Sequence, residues 1–272
     1  MLAQNRNIES LQSNRLSVQV SLNGLSFLAT DVENKEVLFF SEKKLSHSTT
    51  PEELLMEIES LISAHEILDQ DFSEVALIYS TSVYSLVPIP LFDESKGVEY
   101  LKFNSKILAN DYIAHDVIEN QGMVVVYVPF MNINNYFFEK YGSFNYYHAS
   151  SVMVKTILEK EKYPLPKMYL HFQQHSFDCV VLKNGILQLC NTYNYNTPED
   201  FIYYTLFCME QLKLDPETLP VLLCGAIGKN DPTYKIAYTY IRNIEFVGTD
   251  FSTIKIDDHE ESHRHFLLKN LH

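Results

Sequence analysis

Tryptophan is absent from this sequence, and glycine is scarce, with 8 residues in a chain of 272. Loops that hold phosphate use glycine because its missing side chain lets backbone N–H groups approach the anion closely. The low glycine content therefore argues against a glycine-rich nucleotide-binding loop.

Cysteine is also rare. The chain has four cysteines, Cys179, Cys190, Cys208 and Cys224, and all lie within apolar runs of the second half. None belongs to a C-x-x-C pair of the kind that closes around zinc, so we expect buried, reduced thiols rather than a disulfide framework. Reduced thiols are typical of cytoplasmic proteins.

Long apolar stretches are missing as well. Residues 1–17 are polar and lack the apolar segment of a secretion signal. No later stretch reaches the roughly 18 continuous apolar residues of a membrane span. We therefore expect a cytoplasmic protein without a membrane span.

Positive charge is in deficit, because 21 Lys and Arg residues stand against 35 Asp and Glu residues, for a net charge of -14 at pH 7. Such a charge repels nucleic-acid phosphates and anionic lipid head groups alike. The basic residues are scattered along the chain rather than clustered. We expect neither nucleic acid nor a membrane surface as the partner of this acidic protein.

Three short strands joined by tight turns are predicted early in the chain, at residues 16–22, 25–31 and 37–40. The first two alternate between polar and apolar side chains around Asn23-Gly24, which predicts a β-hairpin with a type I′ turn. A helix is predicted to begin at Thr50-Pro51, because threonine caps helices and proline suits the first helical position.

The same order returns in the second half, with strands predicted at residues 168–173, 177–183 and 186–193 and turns at His175-Ser176 and Asn184-Gly185. A helix is predicted to begin at Thr197-Pro198, with acidic residues following the proline as they do after Pro51. Sequence identity between the halves is negligible. The pattern alone therefore indicates an internal duplication.

Further strands are predicted at residues 74–79, 82–90, 111–118, 123–128, 144–148, 220–224 and 244–247, and helices at 95–103, 132–141, 150–162 and 232–242. The segment Tyr163-Pro164-Leu165-Pro166 stops a helix and marks the predicted boundary between two sub-domains. These are residues 1–163 and 164–272, and the first is enlarged by an insertion at about residues 82–121.

A β-β-β-α unit repeated in two halves, with the second half ending in strand, glycine-containing turn, helix and strand, resembles the actin-like ATPase superfamily of ribonuclease H-like folds. The segments VALIYSTSVYSLVPIP, MVVVYVP and FNYYHAS look like the actin-like proteins of type IV pilus and type II secretion assembly. A closer resemblance is to a bacterial family catalogued only as a domain of unknown function with this fold. It implies an α/β protein with two sub-domains, each with a mixed five-stranded sheet and flanking helices.

The resemblance also implies where a ligand would bind. In the superfamily the first hairpin of each half wraps the nucleotide phosphates, and an aspartate at the end of the first strand orders the metal. The matching segments here, VQVSLNGLSF and YLHFQQHSFD, have Leu22 and Gln173 near those positions, so the usual anchor for Mg²⁺ is missing. The adenosine-binding glycine pair is matched by Gly225 and Ala226 within LLCGAIG.

The candidate residues of a nucleotide or anion cleft are Asn23, Gly24, Gln173, Gln174, His175, Ser176, Gly225 and Ala226. Together with His171, the polar residues of the second hairpin could donate hydrogen bonds to an anion without a metal. We therefore expect no cofactor, with ATP and Mg²⁺ as the alternative.

These features predict a degenerate actin-like module that acts by binding, as a non-catalytic scaffold or adaptor with a protein partner of unknown identity. No catalytic residue is assigned. The alternative is an ATP-binding protein, an ATPase or a kinase, with unusual acidic residues supplied by Asp31, Asp178 or Asp200, of which Asp178 is the best placed. A small-molecule sensor that uses the cleft without catalysis is a third hypothesis.

The C-terminal tail offers one alternative metal site. His259 and His263 have i and i+4 spacing, which on a helix places both side chains on one face. Because Arg264 lies among them and no closed ligand set is evident, we expect a solvated polar tail and no metal site.

Overall fold

The computed structural model of the chain describes residues 13–45, 49–102, 107–108, 111–161, 164–252, 254–256 and 261–271. Its strands form two five-stranded sheets and one three-stranded sheet, connected by helices. The predicted α/β class with two mixed five-stranded sheets is confirmed. No helix within the described residues combines the length and the apolar character that crossing a bilayer requires.

The strands, numbered in chain order, are β1 (Asn14–Ser21), β2 (Gly24–Asp31), β3 (Val37–Lys44), β4 (Glu74–Tyr79), β5 (Tyr84–Pro88), β6 (Ala114–Ile118), β7 (Met123–Tyr127), β8 (Asn145–His148), β9 (Lys167–Phe172), β10 (Ser176–Lys183), β11 (Ile186–Asn194), β12 (Pro220–Gly225) and β13 (Asn243–Phe246). The α-helices are α1 (Pro51–Ala64), α2 (Gly97–Leu101), α3 (Met131–Tyr141), α4 (Ala149–Lys160), α5 (Pro198–Gln211), α6 (Pro232–Tyr240) and α7 (Phe266–Lys269).

The two large sheets have the same strand order. The first is β3-β2-β1-β4-β8 and the second is β11-β10-β9-β12-β13. In the first sheet β1, β2 and β3 form an antiparallel meander, β4 is parallel to β1, and β8 is parallel to β4. The second sheet repeats these directions. Its antiparallel meander is formed by β9, β10 and β11, β12 is parallel to β9, and β13 is parallel to β12.

Two helices that follow the meanders begin as the sequence predicts. The Thr50 side chain accepts a hydrogen bond from the Glu53 N–H, and the Glu53 carboxylate accepts one from the Thr50 N–H at the start of α1. Thr197 and Asp200 form the same reciprocal pair at the start of α5. Because this capping box satisfies N–H groups that the helix leaves unpaired, it fixes where each helix begins.

The turn of the first hairpin differs from the prediction. Ser21 pairs with Gly24, so Leu22 and Asn23 form the turn and Gly24 is the first residue of β2. Neither Asn23 nor Gly24 has a positive φ, and the predicted type I′ turn at Asn23-Gly24 is therefore wrong. Glycine is needed at position 24 because β3 packs closely against it: a Cβ there would lie 2.9 Å from the carbonyl oxygen of Lys43 on β3.

The turn between β10 and β11 does have the predicted geometry, because Asn184 and Gly185 have φ values of 56° and 71°, as a type I′ turn requires. Gln121, in the turn between β6 and β7, bonds to this turn on both sides. Its Nε2 donates to the Gly185 carbonyl oxygen at 3.0 Å, and its Oε1 accepts from the Leu187 N–H at 2.7 Å. Gln121 thus ties the three-stranded sheet to the second large sheet.

Helix α4 is buried over most of its length, including the polar residues Ser150, Ser151 and Thr156. It packs against β4 and β8 of the first large sheet, β6 of the three-stranded sheet and β11 of the second large sheet. One hydrophobic cluster consequently extends from Tyr79 in the first sheet to Tyr169 in the second. This shared core holds the two large sheets against each other.

The three-stranded sheet, with the order β5-β7-β6, comes from the chain between β4 and α3. The predicted insertion at about residues 82–121 contains β5 and β6, while β7 begins at Met123. Helix α2 is shorter than predicted, because Glu94–Lys96 forms a separate 3₁₀ turn capped by the Asp93 side chain. The division into sub-domains at residues 1–163 and 164–272 stays a prediction.

Candidate functional site

A cleft of about 500 Å³ opens between the two large sheets, at the turn ends of their central hairpins. Its walls come from the β1–β2 turn, the end of β3, the β9–β10 turn, the end of β12, the start of α6 and the C-terminal segment that precedes α7. Each large sheet therefore contributes its first hairpin to the same space.

The end of β12 approaches β9 closely at the floor of this cleft. Gly225 has a φ of 85°, and a Cβ there would lie 2.4 Å from the Phe172 carbonyl oxygen and 3.0 Å from Cδ2 of His171. The Ala226 N–H donates to the Phe172 carbonyl oxygen at 2.9 Å, and the Gly225 N–H donates to the His263 carbonyl oxygen at 2.8 Å. Glycine is required at position 225 because any side chain would separate these elements.

A buried histidine and aspartate pair borders the cleft. His171 on β9 and Asp178 on β10 are direct cross-strand partners, and His171 Nδ1 lies 3.0 Å from Asp178 Oδ2. Gln173 Nε2 donates to the same carboxylate oxygen at 3.1 Å, and Thr192 Oγ1 donates to Oδ1 at 2.6 Å. Both residues of the pair are 3% exposed, yet the His171 ring lines the cleft.

The surroundings of Asp178 favour its ionised form. Burial raises the pKa of Asp178, but the hydrogen bond and charge of His171, with the hydrogen bonds from Thr192 and Gln173, outweigh burial and hold the pKa below its ordinary value. An ionised carboxylate at this distance keeps a proton on Nδ1 of His171.

The cleft has more positive than negative side chains, although the chain has a net charge of -14. Lys43, Lys44 and Arg264 line it together with the acidic residues Glu42 and Asp231. The local charge at the cleft is thus opposite in sign to that of the whole chain.

These charged side chains differ in their partners. Lys43 pairs with Glu57 of α1, and Arg264 Nε lies 3.5 Å from a carboxylate oxygen of Glu261. Lys44 forms no ion pair with the residues that the structure describes. Lys44 is therefore the cleft cation whose charge is least neutralised.

The C-terminal segment places His265 in the wall of the cleft. Burial lowers the pKa of His265 to about 4, and the positive charges of Lys269, Arg264 and Lys44 act in the same direction. The ring of His265 is therefore neutral at pH 7 and adds no charge to the site.

The expected solvated tail is wrong for His263. This residue is 2% exposed, its Nε2 lies 2.6 Å from the Ile227 carbonyl oxygen, and its ring stacks on Phe246 with the centroids 4.2 Å apart. The aromatic contact and the hydrogen bond together bury the ring against β13. His259, the other histidine of the alternative metal pair, lies outside the described residues.

Six of the eight candidate cleft residues line the cleft: Asn23, Gly24, Gln173, Gln174, Gly225 and Ala226. His175 and Ser176 belong to the same hairpin but not to the cleft wall. The His175 carbonyl oxygen accepts from the Tyr195 N–H at 3.0 Å, and the Ser176 carbonyl oxygen accepts from the Gln173 N–H at 2.9 Å, so both serve the turn itself. Ligand binding by these residues stays a prediction.

The three acidic residues of the alternative hypothesis lie in different places. Asp31 is at the far end of β2 from Gly24, where its Oδ1 accepts from the backbone N–H groups of Glu33 and Asn34. Asp200 belongs to the capping box of α5. Asp178 does not line the cleft itself, but it bonds to His171 and Gln173, which both do.

The cationic side chains of the cleft were missed by sequence reasoning. Lys44 and Arg264 come from opposite ends of the chain, and no local pattern links them. The pairing of His171 with Asp178 could have been found, because residues that face each other across a hairpin follow from where its turn lies.

Solved structures with the same fold are similar to this chain over most of its length. A Bacteroides thetaiotaomicron protein described as having an actin-like ATPase fold and unknown function matches 90% of this chain and 96% of its own, with a TM-score of 0.78 and 18% identity. The PilM-PilN type IV pilus biogenesis complex matches 88% of this chain and 89% of its own, with a TM-score of 0.52 and 11% identity. The ethanolamine utilization protein EutJ from Carboxydothermus hydrogenoformans matches 94% of this chain and 87% of its own, with a TM-score of 0.53 and 8% identity. At these identities the similarity shows the fold alone, which is the actin-like ATPase fold.

A search of curated proteins finds no match. The profile of a protein family, described as "Protein of unknown function (DUF3822)", matches residues 3–244. This match spans both large sheets, and it confirms the resemblance to a family of unknown function with an actin-like fold. The chain belongs to the DUF3822 family.

Proposed function

We propose that this chain acts by binding, as a scaffold or adaptor, and does not transfer phosphoryl groups. The chain has the order of strands and helices of an actin-like fold, but we assign no catalytic residue to its cleft. The main support for the proposal is the hydrogen bonding of Asp178, the acidic residue of the β9–β10 hairpin.

Asp178 is fully engaged by the protein's own groups. Its Oδ2 atom bonds to His171 and Gln173, its Oδ1 atom accepts from Thr192, and the residue is 3% exposed. In phosphoryl transfer the magnesium ion is held by one or two carboxylates together with phosphate oxygens. Asp178 would have to give up these hydrogen bonds before it could bind such an ion.

The acidic residues in the cleft wall do not fit magnesium either. Asp231 Oδ2 accepts the Gly228 N–H at 2.6 Å, and Glu42 lies on β3 beside Lys43 and Lys44. The proposed function therefore includes no step that depends on a metal.

A protein partner is the second part of the proposal. Tyr203 and Phe207 lie one turn apart on α5, are 62% and 44% exposed, and stack with ring centroids 6.2 Å apart. Exposed aromatic side chains are enriched at protein interfaces. The PilM-PilN complex also provides an example of this fold within a protein assembly. These observations support a scaffold whose partner is unidentified.

The test is to measure ATP binding by calorimetry in the presence of Mg²⁺ and to follow phosphate release in the same samples. We expect phosphate release no faster than in a protein-free blank. Micromolar binding of ATP and Mg²⁺ together with steady phosphate release would contradict the proposal.

The second candidate function is phosphoryl transfer or nucleotide hydrolysis by unusual residues, and the His171 and Asp178 pair favours it. A histidine whose Nδ1 is bonded to a carboxylate has the arrangement of a general base. If phosphate release is observed, the Asp178→Asn variant should abolish it. An unchanged rate would remove Asp178 from the mechanism.

A further inference from the structure

Four aromatic side chains form a continuous ladder of rings from β11 across α5. The ring of Tyr193 on β11 stacks on the ring of Tyr204 on α5, with the centroids 5.2 Å apart. Tyr204 contacts Tyr203 edge-on at 5.4 Å, and Tyr203 stacks on Phe207 at 6.2 Å. We call these four side chains the aromatic ladder.

The inner end of the aromatic ladder is fixed by the core, and its outer end is open. Tyr193 stacks on the buried ring of Phe177 at 5.5 Å, and the Cys208 thiol donates a hydrogen bond to the Tyr193 hydroxyl at 3.1 Å. At the other end Tyr203 is 62% exposed and Phe207 is 44% exposed. Rings that are already held in place lose little conformational freedom when a partner covers them. The exposed end is therefore a rigid apolar surface that is ready to bind.

The exposed rings belong to one face of α5. Glu199, Tyr203, Phe207 and Glu210 have i, i+4, i+8 and i+11 spacing, and all four are exposed. We call them the α5 stripe, and it extends about 16 Å along the helix axis. Exposed apolar surface that is bordered by charged residues is typical of interaction sites. About three turns of a partner helix would cover the α5 stripe.

The charges around the rings are all of one sign. Helix α5 contains the acidic residues Glu199, Asp200 and Glu210 but no lysine or arginine, and the nearest basic residue in the sequence is Lys213. These carboxylates attract a partner with positive charge. Together with the net charge of -14 they repel anionic lipid surfaces and nucleic acid.

A second copy of this chain does not fit the α5 stripe. Antiparallel packing of two α5 helices about the Tyr203 and Phe207 pair would place Glu210 of one copy beside Asp200 of the other. Parallel packing would place each acidic residue beside its own copy. Like charges in contact destabilise an interface, and α5 has no basic side chain to neutralise them. The α5 stripe therefore favours a partner of opposite charge.

We infer that the α5 stripe docks an amphipathic helix of a partner protein whose apolar face is bordered by lysine or arginine. The apolar face covers Tyr203 and Phe207, and the basic residues pair with Glu199 and Glu210. The inference rests on the proposed function, because it describes the partner of the scaffold and adds the surface that binds it.

The probe for this inference is a synthetic amphipathic helix of about 14 leucine and lysine residues, with one tryptophan in its apolar face. Because the chain itself contains no tryptophan, the only indole emission in the sample comes from the peptide. Titration with the full chain should shift this emission to shorter wavelength and reach saturation, since the indole becomes buried against the exposed rings. A peptide with glutamate in place of lysine should show no shift.

The first variant tests the rings. The double substitution Tyr203→Ser and Phe207→Ser should weaken binding of the leucine and lysine peptide at least about tenfold, because aromatic side chains at the centre of an interface contribute most of its affinity. Tyr238→Ser is the matched control: Tyr238 is 67% exposed on α6, outside the α5 stripe, and its variant should bind as the unaltered chain does. Circular dichroism verifies that each variant is folded.

The second variant tests the charges and leaves the rings in place, so it also serves if the double variant fails to fold. Glu210→Gln should weaken binding several-fold. Glu245→Gln changes the net charge equally, but Glu245 is exposed on β13, at the other edge of the second large sheet, and this variant should bind normally. Equal affinities of the two variants would show that only the overall charge of the chain attracts the peptide.

Three further results would overturn the inference: no saturable shift with the basic peptide, unchanged affinity in the folded double variant, or equal binding of the acidic peptide. A dimer in sedimentation that the double variant dissociates would also overturn it, because the occupant would then be a second copy. Each of these results leaves the proposed function intact, since a scaffold can bind its partner through another surface. Phosphate release from ATP would instead contradict the proposed function, so the two failures are distinguishable.

Discussion

Replacing Gly225 with alanine should destabilise the protein where β12 meets β9. The φ of 85° at this position costs a residue with a Cβ about 1–2 kcal/mol. The added Cβ would also lie 2.4 Å from the Phe172 carbonyl oxygen and 3.0 Å from Cδ2 of His171. Because displacing such packed groups costs about 1–3 kcal/mol, the total loss should be about 2–5 kcal/mol.

The variant Gly185→Ala separates the cost of the positive φ from the cost of the close packing. Gly185 has a φ of 71°, but a Cβ there would have no atom within 4 Å. Only the backbone cost of about 1–2 kcal/mol therefore applies. Urea-induced unfolding, followed by circular dichroism, gives the free energy of unfolding of both variants. Equal losses of unfolding free energy in the two variants would refute the argument from close packing. No loss in either variant would refute the argument from the positive φ.

Three further predictions concern stability. The variant Thr197→Ala removes the cap of α5 and should lower the free energy of unfolding by about 1 kcal/mol, which urea unfolding measures; a loss below about 0.3 kcal/mol would contradict the capping role. The variant Gln121→Ala removes two hydrogen bonds to the β10–β11 turn and should cost about 1–3 kcal/mol, whereas Gln188→Ala, which loses one exposed bond within the same hairpin, should cost less than about 0.5 kcal/mol. Burial lowers the pKa of His148 to about 4 from 6.5, so the unfolded chain takes up this proton first as the pH falls. The contribution of neutral His148 is present above pH 6.5 and is lost as the pH falls towards 4. Unfolding midpoints at pH 7 and pH 5 should therefore differ less in His148→Gln than in the unaltered chain, and an equal difference would exclude His148 as the cause.

Much of the fold could be predicted because its signals are local. The caps at Thr50 and Thr197 act within one helical turn, so the starts of α1 and α5 follow from a few neighbouring residues. The positive φ values at Asn184 and Gly185 likewise follow from the residue types. Where the interactions that fix a helix start or a turn lie within a few neighbouring residues, the sequence alone is sufficient to predict that start or turn.

The first hairpin shows where this reasoning fails. Asn23-Gly24 has the residues of a type I′ turn, but β3 approaches β2 so closely that Gly24 is needed within the strand. The turn consequently moves back by one residue, to Leu22 and Asn23. A contact with a third strand decided the position of this turn, and the two-strand pattern does not contain that information.

The pairing of His171 with Asp178 was missed for a related reason. The sequence predicts that the strand before the second hairpin ends at residue 173, whereas β9 ends at Phe172, which pairs with Phe177. A shift of one residue moves every side chain of a strand to the opposite face. The histidine and the aspartate therefore face each other only in the correct register, and an error of one residue at a turn conceals the pair.

The net charge of the whole chain does not predict the local charge of the cleft. A charge of -14 opposes the approach of a large polyanion such as nucleic acid, because such a partner experiences the field of the whole surface. A small anion inside a cleft responds mainly to charges within a screening length of about 8–10 Å. At that range the cationic side chains Lys43, Lys44 and Arg264 outnumber the acidic side chains Glu42 and Asp231 in the cleft wall. The net charge of -14 therefore argues against nucleic acid as a partner but does not exclude a small anion in this cleft, because each ligand responds to charge over a different distance.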